Sequence, residues 1–148
     1  MGDDSQIHRP HSGLLQFQGQ QKTMAKLFIT LASLSGMLAV ILGAFGAHGL
    51  RGKLDDYAMG VFETAVQYHF YHTLALVAVG LLALHQPHTA LLRSSGWLFV
   101  LGLVLFSGSL YALSLSGIKW LGAITPLGGL AFIAGWACLA AAGWKLLP

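Results

Sequence analysis

Apolar and charged positions alternate along this chain in long blocks rather than residue by residue. Uncharged residues fill 24 positions between Lys26 and Arg51, 29 between Glu63 and Arg93, 25 between Arg93 and Lys119, and 25 between Lys119 and Lys145. A helix needs about 20 apolar residues to cross a hydrocarbon core of about 30 Å. Each gap therefore predicts one spanning helix, near residues 27–47, 66–85, 96–116 and 126–146. Helix is the expected form because hydrocarbon offers the backbone no partners, so each segment must satisfy its own hydrogen bonds. A membrane barrel would show alternating segments of about ten residues, and these blocks do not alternate. The pattern predicts an all-α protein, an integral membrane four-helix bundle.

The segments between the blocks carry finer signals. Residues 1–23 are polar and Gln-rich without helical period, and predict a flexible polar tail ahead of a transmembrane domain over 24–148. Met24-Ala25-Lys26 reads as a natural start, which leaves the tail readable as an upstream-start artefact. The apolar stretch that follows is longer than the about 7–15 residues of a secretory signal, so a retained span is expected rather than a cleaved leader. Leu54, Tyr57, Ala58, Val61, Phe62, Ala65 and Val66 lie on one helical face. They predict a short amphipathic helix between spans one and two, lying in the interface; the alternative is one long helix over 55–85. Asp55 or Asp56 suits its N-terminus. His85-Gln86-Pro87-His88 reads as a turn. Gly117 stops the third helix, and Thr125-Pro126 opens the fourth; the rival is a helix from 120 kinked at Pro126. Trp97, Trp120 and Trp144 fall near predicted membrane surfaces, as an aromatic belt would.

Composition agrees with the blocks. Charged residues are 9% and hydrophobic residues 55% of 148, against about 25% charged in soluble domains, so the charges are too few to coat a globular surface. High hydrophobicity also excludes disorder. The net charge of +3 comes from scattered Lys and Arg, with no basic face, so nucleic acid is not an expected partner. Four spans put both termini on one side of the membrane. With Lys22, Lys26, Arg93 and Lys145 inside, and Arg51, Lys53 and Lys119 outside, four against three favours cytoplasmic termini. Cys138 is alone, sits in an apolar run, and reads as a small buried hydrophobe.

Small residues recur at helical spacing inside the spans: Ser35, Gly36, Ala39, Gly43 and Ala47; Gly108, Ala112 and Ser116; Gly128, Ala131, Gly135, Ala134, Cys138 and Ala142. Lipid supplies no hydrophobic drive between helices, so close backbone approach matters. Gly36, Ala39, Gly43, Gly108, Ala112, Gly128 and Gly135 are therefore expected at helix contacts. Polar groups at membrane depth are costly and face protein or water. The candidate functional cluster is His48, Glu63, Gln67, Tyr68, His69 and His72, with Tyr71 beside it and Ser107, Ser109 and Tyr111 in the third span. At 100° per residue Glu63 lies about 180° from His72, so a one-helix metal site fails, and no metal or other cofactor is expected. Paired haem ligands are not marked either. A proton relay through His48, Glu63 and His72 is the sharper alternative; interhelical hydrogen bonding is the plainer one. No phosphate loop, nucleophile elbow, zinc-protease signature or Cys pair occurs.

Four ordered blocks carry a resemblance. They are Gly43-Ala44-Phe45-Gly46-Ala47-His48-Gly49-Leu50, Phe62-Glu63-Thr64-Ala65-Val66-Gln67-Tyr68-His69 running on to His72-Thr73-Leu74-Ala75-Leu76, Phe106-Ser107-Gly108-Ser109-Leu110-Tyr111, and Thr125-Pro126-Leu127-Gly128-Gly129 to Gly135-Trp136. Over residues 24–148 the chain resembles the small bacterial inner-membrane proteins of the YgdD type, which have small eukaryotic transmembrane relatives. The resemblance implies a four-span inner-membrane protein and transfers no catalytic residue. The expectation is a non-enzymatic structural or accessory protein in the lipid bilayer, as a homo-oligomer or within a larger membrane complex. The alternatives are a small oligomeric transporter or proton-coupled channel, or a lipid or quinone binder.

Overall fold

The structure is a computed structural model and describes residues 11–85 and 90–146. Helix α1 runs His11–Phe45 and its end widens into a π-helical turn, Gly46–Leu50. Helix α2 runs Asp56–His85. Helix α3, Ala90–Gly102, passes through a second π-helical turn, Leu103–Ser107, into α4, Gly108–Ser116. A 3-10 turn, Lys119–Ala123, leads to α5, Thr125–Leu146. The described residues contain no strand. Among the described residues four stretches are long and apolar enough to cross a membrane: Thr23–Leu50, Asp56–His85, Ala90–Ser116 and Lys119–Lys145. The architecture is an all-α membrane bundle of four spans, the third built from α3, its π turn and α4.

Two local expectations change. Residues 11–23 are helical and continuous with the first span, where a non-helical tail was expected. Amphipathic period reports a packed face, and a helix already nucleated downstream extends at little cost through residues such as Leu and Gln without one. Residues 1–10 lie outside the described residues, as does most of the expected turn at 85–88. The separate interfacial helix is also corrected: residues 56–85 form one helix. No proline interrupts it, and the part of its apolar stripe from Phe62 on packs on protein instead of headgroups, while Tyr57 stays exposed. Phe62 and Ala65 are fully buried; Phe62 meets the Tyr111 ring at 5.1 Å, and Ala65 packs with Leu110 and Leu113 of α4.

The helix ends follow from their sequences. Asp55 caps α2, its carboxylate accepting from the Ala58 backbone N–H at 2.7 Å. Gly117 takes a left-handed conformation (φ 71°) and its N–H closes onto the Leu113 carbonyl at 2.8 Å. Thr125 does open the last helix, after the 3-10 turn rather than as part of a kinked helix from 120. Trp120 and Trp144 are strongly exposed near span ends, where interfacial anchors belong.

Packing runs α1 on α2, α2 on α3 and α4, and α3 with its π turn on α5. The core gathers Phe28, Ala32, Leu76, Val79, Phe99 and Phe132. Glycine makes the α3–α5 seam: a Cβ on Gly128 would strike the Phe106 backbone, one on Gly102 the Phe132 ring, and one on Gly135 the Phe99 ring at 2.8 Å. Gly36 and Gly43 face Thr73 and Val66 of α2, each at 3.4 Å from a Cβ, and Ala39 is buried. Gly108 and Ala112, expected at a contact, are exposed; a Cβ on Gly108 would meet only the Leu103 carbonyl, at 3.9 Å. The face of α4 that meets α2 carries Leu110 and Leu113, packed with Ala65, and Gly108 and Ala112 lie off it.

Candidate functional site

His69 and His72 lie on one stretch of α2, both buried, and they serve different neighbours. His69 sits between α1 and α4. Its Nε2 is 2.9 Å from the Ser35 hydroxyl and its Nδ1 is 3.2 Å from the Tyr111 hydroxyl. Ser35 Oγ is in turn 2.6 Å from Thr73 Oγ1. One chain of hydrogen bonds thus joins three helices through four side chains.

His72 faces α5. Its Nδ1 donates to the Tyr68 carbonyl at 2.8 Å, and its Nε2 accepts from the Trp136 indole N–H at 3.3 Å. The indole is a donor only, so this geometry requires the neutral ring with its proton on Nδ1. The ring stacks on Phe132, with centroids 3.4 Å apart and planes 8° apart. Tyr68 continues the stack onto Phe106 at 4.5 Å. His72 is therefore an aromatic-slot residue with both nitrogens engaged, a poor start for ligating a metal or passing a proton.

The remaining cluster residues lie elsewhere. Glu63 and Gln67 are exposed and line a groove of about 230 Å³ with Gly43, Gly46 and Ala47 of the α1 side. His48 is exposed in the π turn that ends the first span, and Tyr71 is exposed on α2. The helix thus separates Glu63 and Gln67 from His69 and His72, as their angular spacing requires. Among the described residues no group of three or more His, Cys, Asp or Glu is placed to hold a metal ion.

Sequence reasoning missed the partners. Ser35 read as a packing residue, and Thr73 and Trp136 stood out only within the quoted blocks. The usable signal was depth at Ser35, near the middle of its expected span, where a polar side chain must find a partner on a neighbouring helix; His69 opens the expected span 66–85 and becomes central only in the longer helix Asp56–His85. Ser95, fully buried, does the same across the α3–α5 seam, donating to the Gly135 carbonyl at 2.9 Å. Ser109 and Thr125 pair at 2.8 Å.

Residues 42–129 match a family described as "Protein of unknown function (DUF423)". The chain belongs to the DUF423 family. The match takes in His48, the whole of Glu63 to His72 and Tyr111, while Ser35 and Trp136 fall outside it. Curated relatives share far more than this segment. The UPF0382 membrane protein YwdK of Bacillus subtilis is 52% identical over 122 residues, covering 82% of this chain and 99% of its own. The UPF0382 membrane protein SH2409 of Staphylococcus haemolyticus is 51% identical, covering 82% and 98%. The UPF0382 membrane protein SAB0533 of Staphylococcus aureus is 48% identical, covering 81% and 97%. No solved structure matches the chain. With relatives named as membrane proteins and four candidate spans, this DUF423 chain is an integral membrane protein.

Proposed function

We propose that the protein is a non-enzymatic structural or accessory component of the bacterial inner membrane, of the YgdD type, with both termini cytoplasmic. The observation that carries this reading is how the buried polar side chains are used. Ser35, His69, Thr73 and Tyr111 bind each other across three helices, His72 binds Trp136, and Ser95 binds the Gly135 carbonyl. Such bonds hold a bundle in one arrangement, each contributing about 0.6 kcal/mol and up to about 2. The outer faces support assembly: Met37, Val40 and Ile41 on α1 and Leu130 and Ile133 on α5 are exposed large apolar residues, suited to lipid or to a neighbouring membrane protein.

A proton-coupled channel would need His48, Glu63 and His72 along one path. Glu63 beside α1 and His72 against α5 favour the tie over the relay. Cross-linking in native membranes, followed by gentle extraction and native mass spectrometry, tests the proposal. A defined homo-oligomer or a constant partner is the expected result. A bare monomer with turnover that Glu63→Gln or His72→Phe abolishes would overturn it.

A further inference from the structure

A second, larger groove of about 460 Å³ opens between α1 and the third span, with α2 as its floor. Leu34 and Leu38 form one wall, Val100, Leu103 and Val104 the other. Leu34, Leu38 and Val104 are themselves well exposed, so the groove opens sideways toward the acyl chains. Its volume is that of a small-molecule site, about 300–1,000 Å³. Ser35, His69 and Tyr111 are the polar side chains in its lining, and His69 is the one titratable group there besides Tyr111.

Counting hydrogens along the side-chain chain shows what this wall lacks. Tyr111, neutral His69, Ser35 and Thr73 bring one polar hydrogen each, and three bonds join them. One donor is always left over. If the bonds run from Tyr111 toward Thr73, the surplus hydrogen sits on Thr73, which is 3% exposed and has no further partner among the described residues. If they run from Thr73 toward Tyr111, His69 carries its proton on Nδ1 and the surplus hydrogen is the Tyr111 hydroxyl, at the groove. A third arrangement, in which Ser35 accepts from both His69 and Thr73, leaves the surplus hydrogen on Ser35, also in the groove wall. An unmade donor in an apolar medium is costly, so an acceptor in the groove favours an arrangement with the surplus hydrogen there, and one seated against the Tyr111 hydroxyl selects the second direction.

That acceptor must meet three conditions. It lies inside the apolar span, because Ser35 and His69 are close to the middle of their candidate spans and the Tyr111 hydroxyl, from a residue five short of the end of its own, reaches back to His69; the ester oxygens of a phospholipid stay near the interface. It is uncharged, because no Lys, Arg, Asp or Glu lines the groove and an ion would be unpaired there. It carries a long apolar tail that can leave through the lateral opening. We propose that the groove binds a neutral prenyl quinone, one ring carbonyl accepting the hydrogen bond of Tyr111 and the tail lying between α1 and α3. This goes beyond the structural reading above and stands without it.

The test uses the full chain in lipid nanodiscs and a tritiated short-tailed prenyl naphthoquinone. Binding above that of empty nanodiscs is expected to saturate near one per chain. Gly108→Leu fills the groove from a position whose Cβ has room, and it raises helix propensity, so the fold is retained; it should weaken binding at least tenfold. Tyr111→Phe keeps the ring against Phe62 and removes one neutral hydrogen bond; about fivefold weaker binding is expected. Quinone should also shift the His69 ¹⁵N signals to the Nδ1–H tautomer, and not in Tyr111→Phe. Uptake equal to empty nanodiscs, or binding that neither variant changes, overturns the proposal. So does a retained phospholipid that Gly108→Leu displaces and quinone does not.

Discussion

Ser95 and Ser107 are both buried hydroxyls in the third span, 0% and 1% exposed, yet only one has a partner. Ser95 donates to the Gly135 carbonyl across the helix seam. Ser107 Oγ has no hydrogen-bond partner among the described residues, and the Leu103 carbonyl, four residues back, is taken by the Gly108 N–H of the π turn. The same substitution should therefore have opposite signs. Ser95→Ala strips a buried bond across the seam, costing about 1 kcal/mol. Ser107→Ala removes an unsatisfied hydroxyl and should be neutral or stabilise by about 1 kcal/mol. Unfolding in mixed micelles checks both, and a loss at Ser107 equal to that at Ser95 would show that its hydroxyl has a partner after all. Trp136→Phe makes a related point at His72: Nε2 loses its donor while the aromatic slot stays filled, so a loss of about 1 kcal/mol is expected without change in helix content by circular dichroism.

At the scale of the helices, glycine decides which pairs approach. Gly128 abuts the Phe106 backbone, which cannot rotate away as a side-chain tip can. Gly128→Ala should cost about 1–3 kcal/mol, the usual penalty of overpacking. Gly60, in α2 with nothing within 4 Å of a Cβ, should accept alanine with no loss and a gain of up to about 1 kcal/mol. Comparing the two in one unfolding series separates packing from propensity; equal effects would refute the seam. Much of this level was legible in the chain. The charge-free blocks marked all four spans, and spacing put Gly36, Gly43, Gly128 and Gly135 at contacts. Gly108 and Ala112 do share one face of α4, as their spacing requires, but spacing cannot say which face meets a neighbour, and Leu110 and Leu113 pack on α2 instead. The 54–66 stripe was read correctly as a face, but its length could not say whether headgroups or α4 would cover it.

For the whole molecule, the cluster of polar residues was visible and its division was not. Angular spacing alone parted Glu63 and Gln67 from His69 and His72. That His69 would turn to α1 and α4 while His72 turned to α5 depends on helix order and depth, which only the assembled bundle supplies. Orientation in the membrane is a property of the same scale. An even number of spans places Arg51, Lys53 and Lys119 at one end of the bundle and Lys26, Arg93 and Lys145 at the other. Lys and Arg within about 15–20 residues of span ends set topology, with the side richer in them cytoplasmic. The terminal side leads by one with Lys22 and by two with Arg9, so two substitutions are enough to cancel the margin. Lys26→Ala with Arg93→Ala leaves Arg9, Lys22 and Lys145 against Arg51, Lys53 and Lys119, an even balance. In a Cys138→Ala background, a single cysteine placed at exposed Gly52 or at Ser94 reports which end a membrane-impermeant thiol reagent reaches from outside. The natural charges should label position 52 and protect position 94. The double substitution should label both in a mixed population or exchange them. Labelling at 94 in the unaltered charge background would place the termini outside, and an unmoved pattern after the double substitution would show that something other than these charges holds the orientation.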